Sequence, residues 1–261
     1  MIDLHCHILP GLDDGPVNLD FSVAMARAAA EEGTQVMVAT PHVRDDYRVE
    51  ADDIDRAVAQ INEAIASLGL QLMVVGGAEV SLPKAAELPE ETLGRLCLGS
   101  GDYILVESPY RSSDIDLEGI ISGVQERGLR PVLAHPERCP IFQRDPDRLV
   151  RLVNSGVLCS VTSGSLSGRF GSTVRAFTIE LFSDGLVHDV ASDAHDHLHR
   201  PPHLLPGFDA AEADIPGIRE QASWFTVTAP VAILAGRPLP PSPDPPPRPP
   251  VSRWRRIVDR L

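Results

Sequence analysis

The first fifteen residues, MIDLHCHILPGLDDG, hold two histidines at positions 5 and 7 and two aspartates at 13 and 14. Side chains alternate along an extended strand, so His5 and His7 aim two imidazoles at one spot while Cys6 faces the other way into packing. That is how a strand holds a metal. Further groups of the same chemistry follow: His42 in ATPH, Glu79 in GGAEV, Glu107 in LVESP, His135 in LAHPER, and Asp193 and His195 in ASDAH. Singly, each is an ordinary loop or strand-end residue. Drawn together without cations, they would stack negative charge at a cost in repulsion and desolvation, which divalent metals remove. Nitrogen and oxygen donors without thiolate suit manganese, iron or zinc better than magnesium or calcium. About nine ligands are too many for one ion and suit two or three, with carboxylates such as Glu79 bridging. Of the histidines after Asp193, only His195 is placed at the site; His197, His199 and His203 fall in a proline-limited loop, and His188 reads as structural.

The elements that must position these groups are legible in the pattern. Short apolar, β-branched runs (IDLHCHIL, QVMVATPH, LMVVGGAEVSL, YILVESPY, RPVLAHPE, LCSVTSG, VHDVASDAH) alternate with segments of helical period at 19–32, 51–68, 114–127, 146–154 and 173–182. Gly33, Gly69, Gly128, Gly156 and Gly185 each stand just past such a segment, where a left-handed cap favours glycine. Seven or eight strand–helix units with near-continuously apolar strands predict an α/β fold, a parallel sheet closed into a TIM-like barrel. In that architecture the site forms at the C-terminal ends of the strands. Six of the seven predicted strands end in a candidate ligand.

At 261 residues the chain has room for one sizeable domain. Its formal charge of -14 disfavours nucleic acid as a partner. The four cysteines form no C-x-x-C pair, which argues against a disulfide framework or a thiolate zinc site. No apolar run is long enough to cross a bilayer and no leader-like segment precedes the first strand, so a cytoplasmic location is expected. Nine of the 24 prolines fall between Pro238 and Pro250. The expected organisation is therefore a barrel over 1–236, an extended proline-rich linker over 237–250 and a short basic amphipathic tail over 251–261. The tail either docks on its own domain or tethers the protein to a partner or an anionic surface.

From DLHCHILPGLDDGP through ATPH, GGAEV, LVESP and LAHPER to ASDAH and RPPH, the chain resembles the PHP (polymerase and histidinol phosphatase) family. Within it, the chain is most similar to the metal-dependent tyrosine-protein phosphatases of bacterial capsule and exopolysaccharide systems. The likeness spans about residues 1–203. It implies a distorted (β/α)7 barrel with a trinuclear, manganese-preferring centre, iron or zinc being alternatives. The implied ligands are His5, His7, Asp14, His42, Glu79, Glu107, His135, Asp193 and His195, with Asp13 as a substitute for Asp14. The resemblance also implies that Arg138 and Arg200 grip phosphate oxygens, a task suited to a planar guanidinium. The expected reaction is hydrolysis of a phosphomonoester by a hydroxide bridging two ions. The expected partner is a phosphotyrosine-bearing protein, such as a bacterial tyrosine kinase of polysaccharide export. A thiol mechanism is disfavoured, because six residues after each cysteine stand Leu12, Tyr103, Asp145 and Ser165, never the arginine of a C-x5-R loop. Alternatives are a phosphatase of a small ester, such as histidinol phosphate or a nucleotide, and a catalytically silent scaffold acting through the proline-rich tail. Oligomeric state is not legible.

Overall fold

A computed structural model describes residues 1–109 and 115–245. The basic tail expected at 251–261 and the end of the proline-rich stretch lie outside the described residues. Nine parallel strand segments are present: β1 (Ile2–Cys6), β2 (Val36–Ala39), β3 (His42–Val43), β4 (Met73–Gly76), β5 (Glu79–Ser81), β6 (Tyr103–Glu107), β7 (Arg130–Ala134), β8 (Leu158–Thr162) and β9 (Asp189–Ala191). They pair as a three-stranded sheet, β1-β2-β4, and a six-stranded sheet, β3-β5-β6-β7-β8-β9. Two of the seven predicted strands are thus interrupted, β2 from β3 by Thr40 and Pro41, and β4 from β5 by Gly77 and Ala78. The last strand returns to the first: His7 N donates to the Ala194 carbonyl and Asp193 N to the His5 carbonyl, each at 2.8 Å. The result is a distorted α/β barrel of seven strand positions whose pairing is split between two sheets.

The helices follow the predicted segments. The helix Leu19–Glu32 starts where the Asn18 side chain accepts from Phe21 N and stops at Gly33, whose φ of 97° an L side chain rarely adopts. The helix Ala51–Ser67 opens on a capping box between Glu50 and Asp53, and Ile54, Ala57, Ile61 and Ile65 turn its apolar face inward.

Apolar side chains form two layers. The larger lies between strands and helices, with Cys6, Met37, Ala39, Ile104, Val106, Leu133, Cys159 and Val161 among its members. The smaller lines the barrel interior with Ile2, Leu4, Val38, Tyr103, Leu105, Val132 and Leu158, and Ile233 from the C-terminal helix Ala229–Leu234 joins it. A bulge in β1 links this layer to the chemistry above it. Asp3 pairs with Met37 and Cys6 with Ala39, so β1 spends one residue more than β2 over the same stretch. Strict alternation would send Leu4 outward with Cys6. The extra residue instead lets Ile2 and Leu4 below, and His5 and His7 above, all face the interior.

The segment entering the proline-rich stretch lies against the barrel. Tyr103 OH donates to the Arg237 carbonyl (3.0 Å), Trp224 Nε1 to that of Pro241 (2.9 Å) and Gln221 Nε2 to that of Asp244 (3.3 Å).

Candidate metal centre

All the candidate donors come from strand tips on one side of the barrel. His5 and His7 project from the bulged end of β1, with Nε2 atoms 3.2 Å apart. Asp14 lies on the following loop, His42 opens β3, Glu79 opens β5, Glu107 ends β6, His135 follows β7, and Asp193 and His195 follow β9. They fall into four overlapping groups: His7, Asp14, His42 and His195; His5, His7 and Asp193; His5, Glu79 and His135; and His42, Glu79 and Glu107. Within each group one atom per residue lies within 4.8 Å of the others. Ligands about 2.1 Å from one ion stand within about 4.2 Å of each other. The measured separations obey that bound: Glu79 Oε2 is 3.0 Å from His42 Nδ1 and 3.4 Å from His5 Nε2, while Asp14 Oδ1 is 3.3 Å from His195 Nε2. Shared members place the groups side by side, as in polynuclear sites.

The donors fit divalent ions on a second count. Glu79 Oε2 and His42 Nδ1 are buried with no hydrogen-bond partner although they face each other. Buried polar atoms left unpaired are rare and mark a missing ion or water. The field points the same way. Burial pulls the His7 imidazolium down, yet the hydrogen bond to Asp13 and the nearby carboxylates of Asp13 and Glu79 outweigh it and push the group up to about 10. The same negative field attracts a cation. Burial opposes ionisation of Glu79 and Asp193 as well, but neighbouring histidines, joined at Asp193 by Arg138 and Arg200, hold both well below the usual carboxylate range. Glu107 moves the other way, raised by burial and by the Glu79 charge. His135 is brought down to about 4 by burial and the Arg138 charge, so it is a neutral donor near neutral pH.

Asp13 stands outside the four groups. Its Oδ2 accepts from His7 Nδ1 at 2.6 Å and from His42 N at 3.0 Å, and its Oδ1 accepts from Gly15 N at 3.0 Å. This carboxylate fixes the proton on His7 Nδ1 and leaves Nε2 as the donor atom, the usual service of a carboxylate behind a metal-binding histidine. Between the two aspartates left open by the sequence, the geometry brings Asp14 into the cluster.

Arg138 and Arg200 both reach the cluster through Asp193. Arg138 Nη2 donates to Asp193 Oδ2, and Arg200 Nη2 lies 2.8 Å from the same oxygen and 2.9 Å from the Asp193 carbonyl. Asp193 Oδ1 faces the histidines, 3.6 Å from the Nε2 of both His5 and His7. Among the described residues, His135 (φ 38°) and Asp193 (φ 50°) are the non-glycine residues with positive φ, and both are cluster members at strand tips. Such conformations cost of order 1 kcal/mol each and persist where the surroundings over-determine them.

Some contributors carry no signal in the sequence pattern. Arg44 Nη1 donates to Glu107 Oε1 (3.2 Å), and the Tyr47 ring lies parallel to His42 with centroids 5.7 Å apart. Glu137 is fully buried, and its Oε1 accepts from Thr162 N and Ser165 Oγ, tying the β7 loop to the tip of β8. The remaining histidines stay out of the four groups: His197 stacks on Phe21, His203 lies 3.6 Å from Glu32, and His188 Nδ1 accepts from Cys159 N. All four cysteines are buried, and burial pushes each thiol up, Cys97 to about 12, which leaves no thiolate nucleophile.

A parallel α/β barrel whose mouth gathers imidazoles, carboxylates and two arginines defines a metal-dependent hydrolase. More narrowly, the chain belongs to the CpsB/CapC family of capsular polysaccharide synthesis, whose profile matches residues 1–216. It is 38% identical over 197 residues to the tyrosine-protein phosphatase YwqE of Bacillus subtilis, covering 75% of this chain and 78% of that one. It is 31% identical over 208 residues to the putative tyrosine-protein phosphatase CapC of Staphylococcus aureus, covering 77% and 79% respectively. Among solved structures, a chain from the crystal structures of YwqE from Bacillus subtilis and CpsB from Streptococcus pneumoniae, described as unique metal-dependent tyrosine phosphatases, superposes with a TM-score of 0.81 at 32% identity, over 95% of this chain and 99% of that one. A lactonase from Listeria monocytogenes (TM-score 0.61, 15% identity, 91% and 95% covered) shares the fold alone.

Proposed function

We propose that this chain is a metal-dependent protein-tyrosine phosphatase. His5, His7, Asp14, His42, Glu79, Glu107, His135, Asp193 and His195 would hold up to three divalent ions, manganese being preferred. The observation that carries the reading is the overlap of four donor groups at one barrel mouth with two arginines converging on a shared member, Asp193. Bound ions supply Lewis acidity and lower the pKa of coordinated water toward about 7. The chain's own residues do the rest. Asp13 orients His7, Glu79 spans two donor groups, and Arg138 and Arg200, pivoting on Asp193, present guanidinium N–H groups to phosphoryl oxygens. A phenolate leaving group, with a conjugate acid of pKa about 10, needs little acid assistance.

The substrate is a tyrosine-phosphorylated protein, and the family's role in capsule synthesis points to a kinase of polysaccharide export. Four free buried thiols suit a reducing cytoplasm, and among the described residues no helix is long and apolar enough to cross a membrane. The test is release of phosphate from a tyrosine-phosphorylated peptide, followed through chelation and readdition of manganese. Activity should vanish and return; turnover that persists in metal-free protein would sink the proposal.

A further inference from the structure

The ring of donors is open on one side. Every strand position of the barrel supplies a member of the four groups except β8, whose tip carries Thr162, Ser163, Gly164 and Ser165. Above that tip a cavity of about 190 Å³ opens between β8 and the 200–207 segment. Its inner wall is Asp193 and Arg200, the carboxylate that faces the histidines and the guanidinium that holds it. Phe170, Pro201 and Pro206 give the cavity an apolar side, and Thr162, Ser163, Arg169, Ser192, His203 and the exposed Ser167 make the rest of its lining polar. Phe170 is seated by the sequence around it: a Cβ on Gly164 would lie 3.2 Å from Phe170 Cε2, so a larger residue there would crowd the ring. Arg138 stacks over the Phe170 ring, its guanidinium carbon 4.5 Å from the ring centroid. The two arginines of the site therefore frame this cavity, one forming its wall and the other stacked on its aromatic side chain.

We infer that this cavity is the leaving-group subsite, a slot for the aromatic ring of a phosphorylated tyrosine, with Phe170 as its specificity-determining residue. The inference rests on the phosphatase reading and names what that reading leaves open, where the organic part of the substrate goes. The volume is sufficient, since a cavity of about 150 Å³ lined by apolar side chains accommodates benzene. An aromatic wall meeting an aromatic ligand adds offset or edge contact to simple burial. The polar inner wall is where the phosphoryl end would sit, so the ring and the phosphate of one ligand are served by adjoining surfaces. A phosphoserine has no ring with which to fill such a slot, and a sugar ring has no aromatic face to set against Phe170.

The test compares phenylphosphonate with methylphosphonate, two dianions that differ in the ring, binding to the full chain loaded with manganese, by calorimetry. The native protein should bind the phenyl compound at least 10-fold more tightly. Ser167→Phe, at an exposed position, fills the slot and should abolish that advantage while leaving methylphosphonate affinity within about twofold. Phe170→Leu keeps an apolar side chain but removes the ring and should cut the phenyl advantage several-fold. Equal affinity of the native protein for the two probes would overturn the subsite, as would an advantage that survives both substitutions. So would a Phe170→Leu variant that weakens both probes alike, because the ring would then serve only to position Arg138. A protein that shows the phenyl preference but releases no phosphate from any tyrosine-phosphorylated peptide would retain the subsite and lose the phosphatase assignment.

Discussion

Replacing Asp13 by asparagine changes one atom and no volume, and its consequence can be worked from the hydrogen bonds. The carboxylate accepts three: from His7 Nδ1 and His42 N at Oδ2, and from Gly15 N at Oδ1. An amide has one acceptor oxygen. If that oxygen takes the Oδ2 place, the new NH2 meets the Gly15 N–H; if it flips, the NH2 meets both His7 and His42, and His7 is no longer held in the tautomer that frees Nε2. The negative charge beside His7 is lost either way. Hydrogen bonds to charged groups contribute about 1.5–3 kcal/mol, and removal of a carboxylate behind a metal-bound histidine typically lowers metal affinity about 10–100-fold. The two ranges agree, since each factor of ten is about 1.4 kcal/mol. Asp13→Asn should therefore bind manganese one to two orders of magnitude more weakly, with full stoichiometry recovered at high metal. Asp14→Asn should instead lose bound metal outright, because Asp14 Oδ1 faces His42 and His195 directly. Equilibrium dialysis with elemental analysis measures both. Native affinity in Asp13→Asn, or native stoichiometry in Asp14→Asn, would refute the division of labour between the two aspartates.

Three more outcomes follow from the same geometry. Burial raises Asp189 to about 8 against an ordinary 3.8, so the folded state holds its proton more tightly than the unfolded one; the stability this lends is intact below about pH 4 and is lost as the pH climbs to 8. Asp189→Asn should then be more stable than the native chain at pH 8 by about 2–5 kcal/mol, with the gap closing near pH 4.5 in thermal melts; an equal gap at both pH values would contradict this. Arg138→Lys cannot both stack on Phe170 and fork toward an oxyanion, so kcat/KM should fall about 100-fold at unchanged metal content. Trp224→Phe removes the N–H that holds the Pro241 carbonyl and should cost about 1 kcal/mol in denaturant unfolding, unless that segment lies free in solution.

Much of this arrangement is legible in the sequence because all the donors but Asp14 stand at the ends of short apolar runs. A strand tip is where a barrel puts its chemistry, and the runs could be counted. The helices at 19–32 and 146–154 have the expected bounds, and the glycines after five helices take positive φ, because capping is local and needs only neighbours in sequence. What the pattern does not carry depends on distant partners. The interruptions at Thr40-Pro41 and Gly77-Ala78 show only in how the strands pair with their neighbours. The choice of Asp14 over Asp13 depends on where the His7 ring presents its second nitrogen. The pairing of Arg44 with Glu107 spans 63 residues, so nothing in VRDDYR announces it.

The bulge in β1 shows how closely the apolar and polar halves of the interior are coupled. A strand that alternated throughout could line the barrel with Ile2 and Leu4 or with His5 and His7, but not with both sets. The added residue allows both, and the Asp3 carboxylate secures the irregularity by accepting from Ser192 N at 2.9 Å and Ser192 Oγ at 2.5 Å on the strand that closes the barrel. Immediately above, Asp193 takes its strained φ and is pinned through its N–H to the His5 carbonyl. His135, strained in the same sense, is pinned through its N–H to the Ser160 carbonyl. Asp193 therefore draws its backbone support from β1 across the barrel seam, and His135 draws its support from β8, the one strand with no donor. The apolar layer below and the hydrogen-bonded tips above leave the donor-free tip of β8 beside the cavity proposed for the organic part of the ligand.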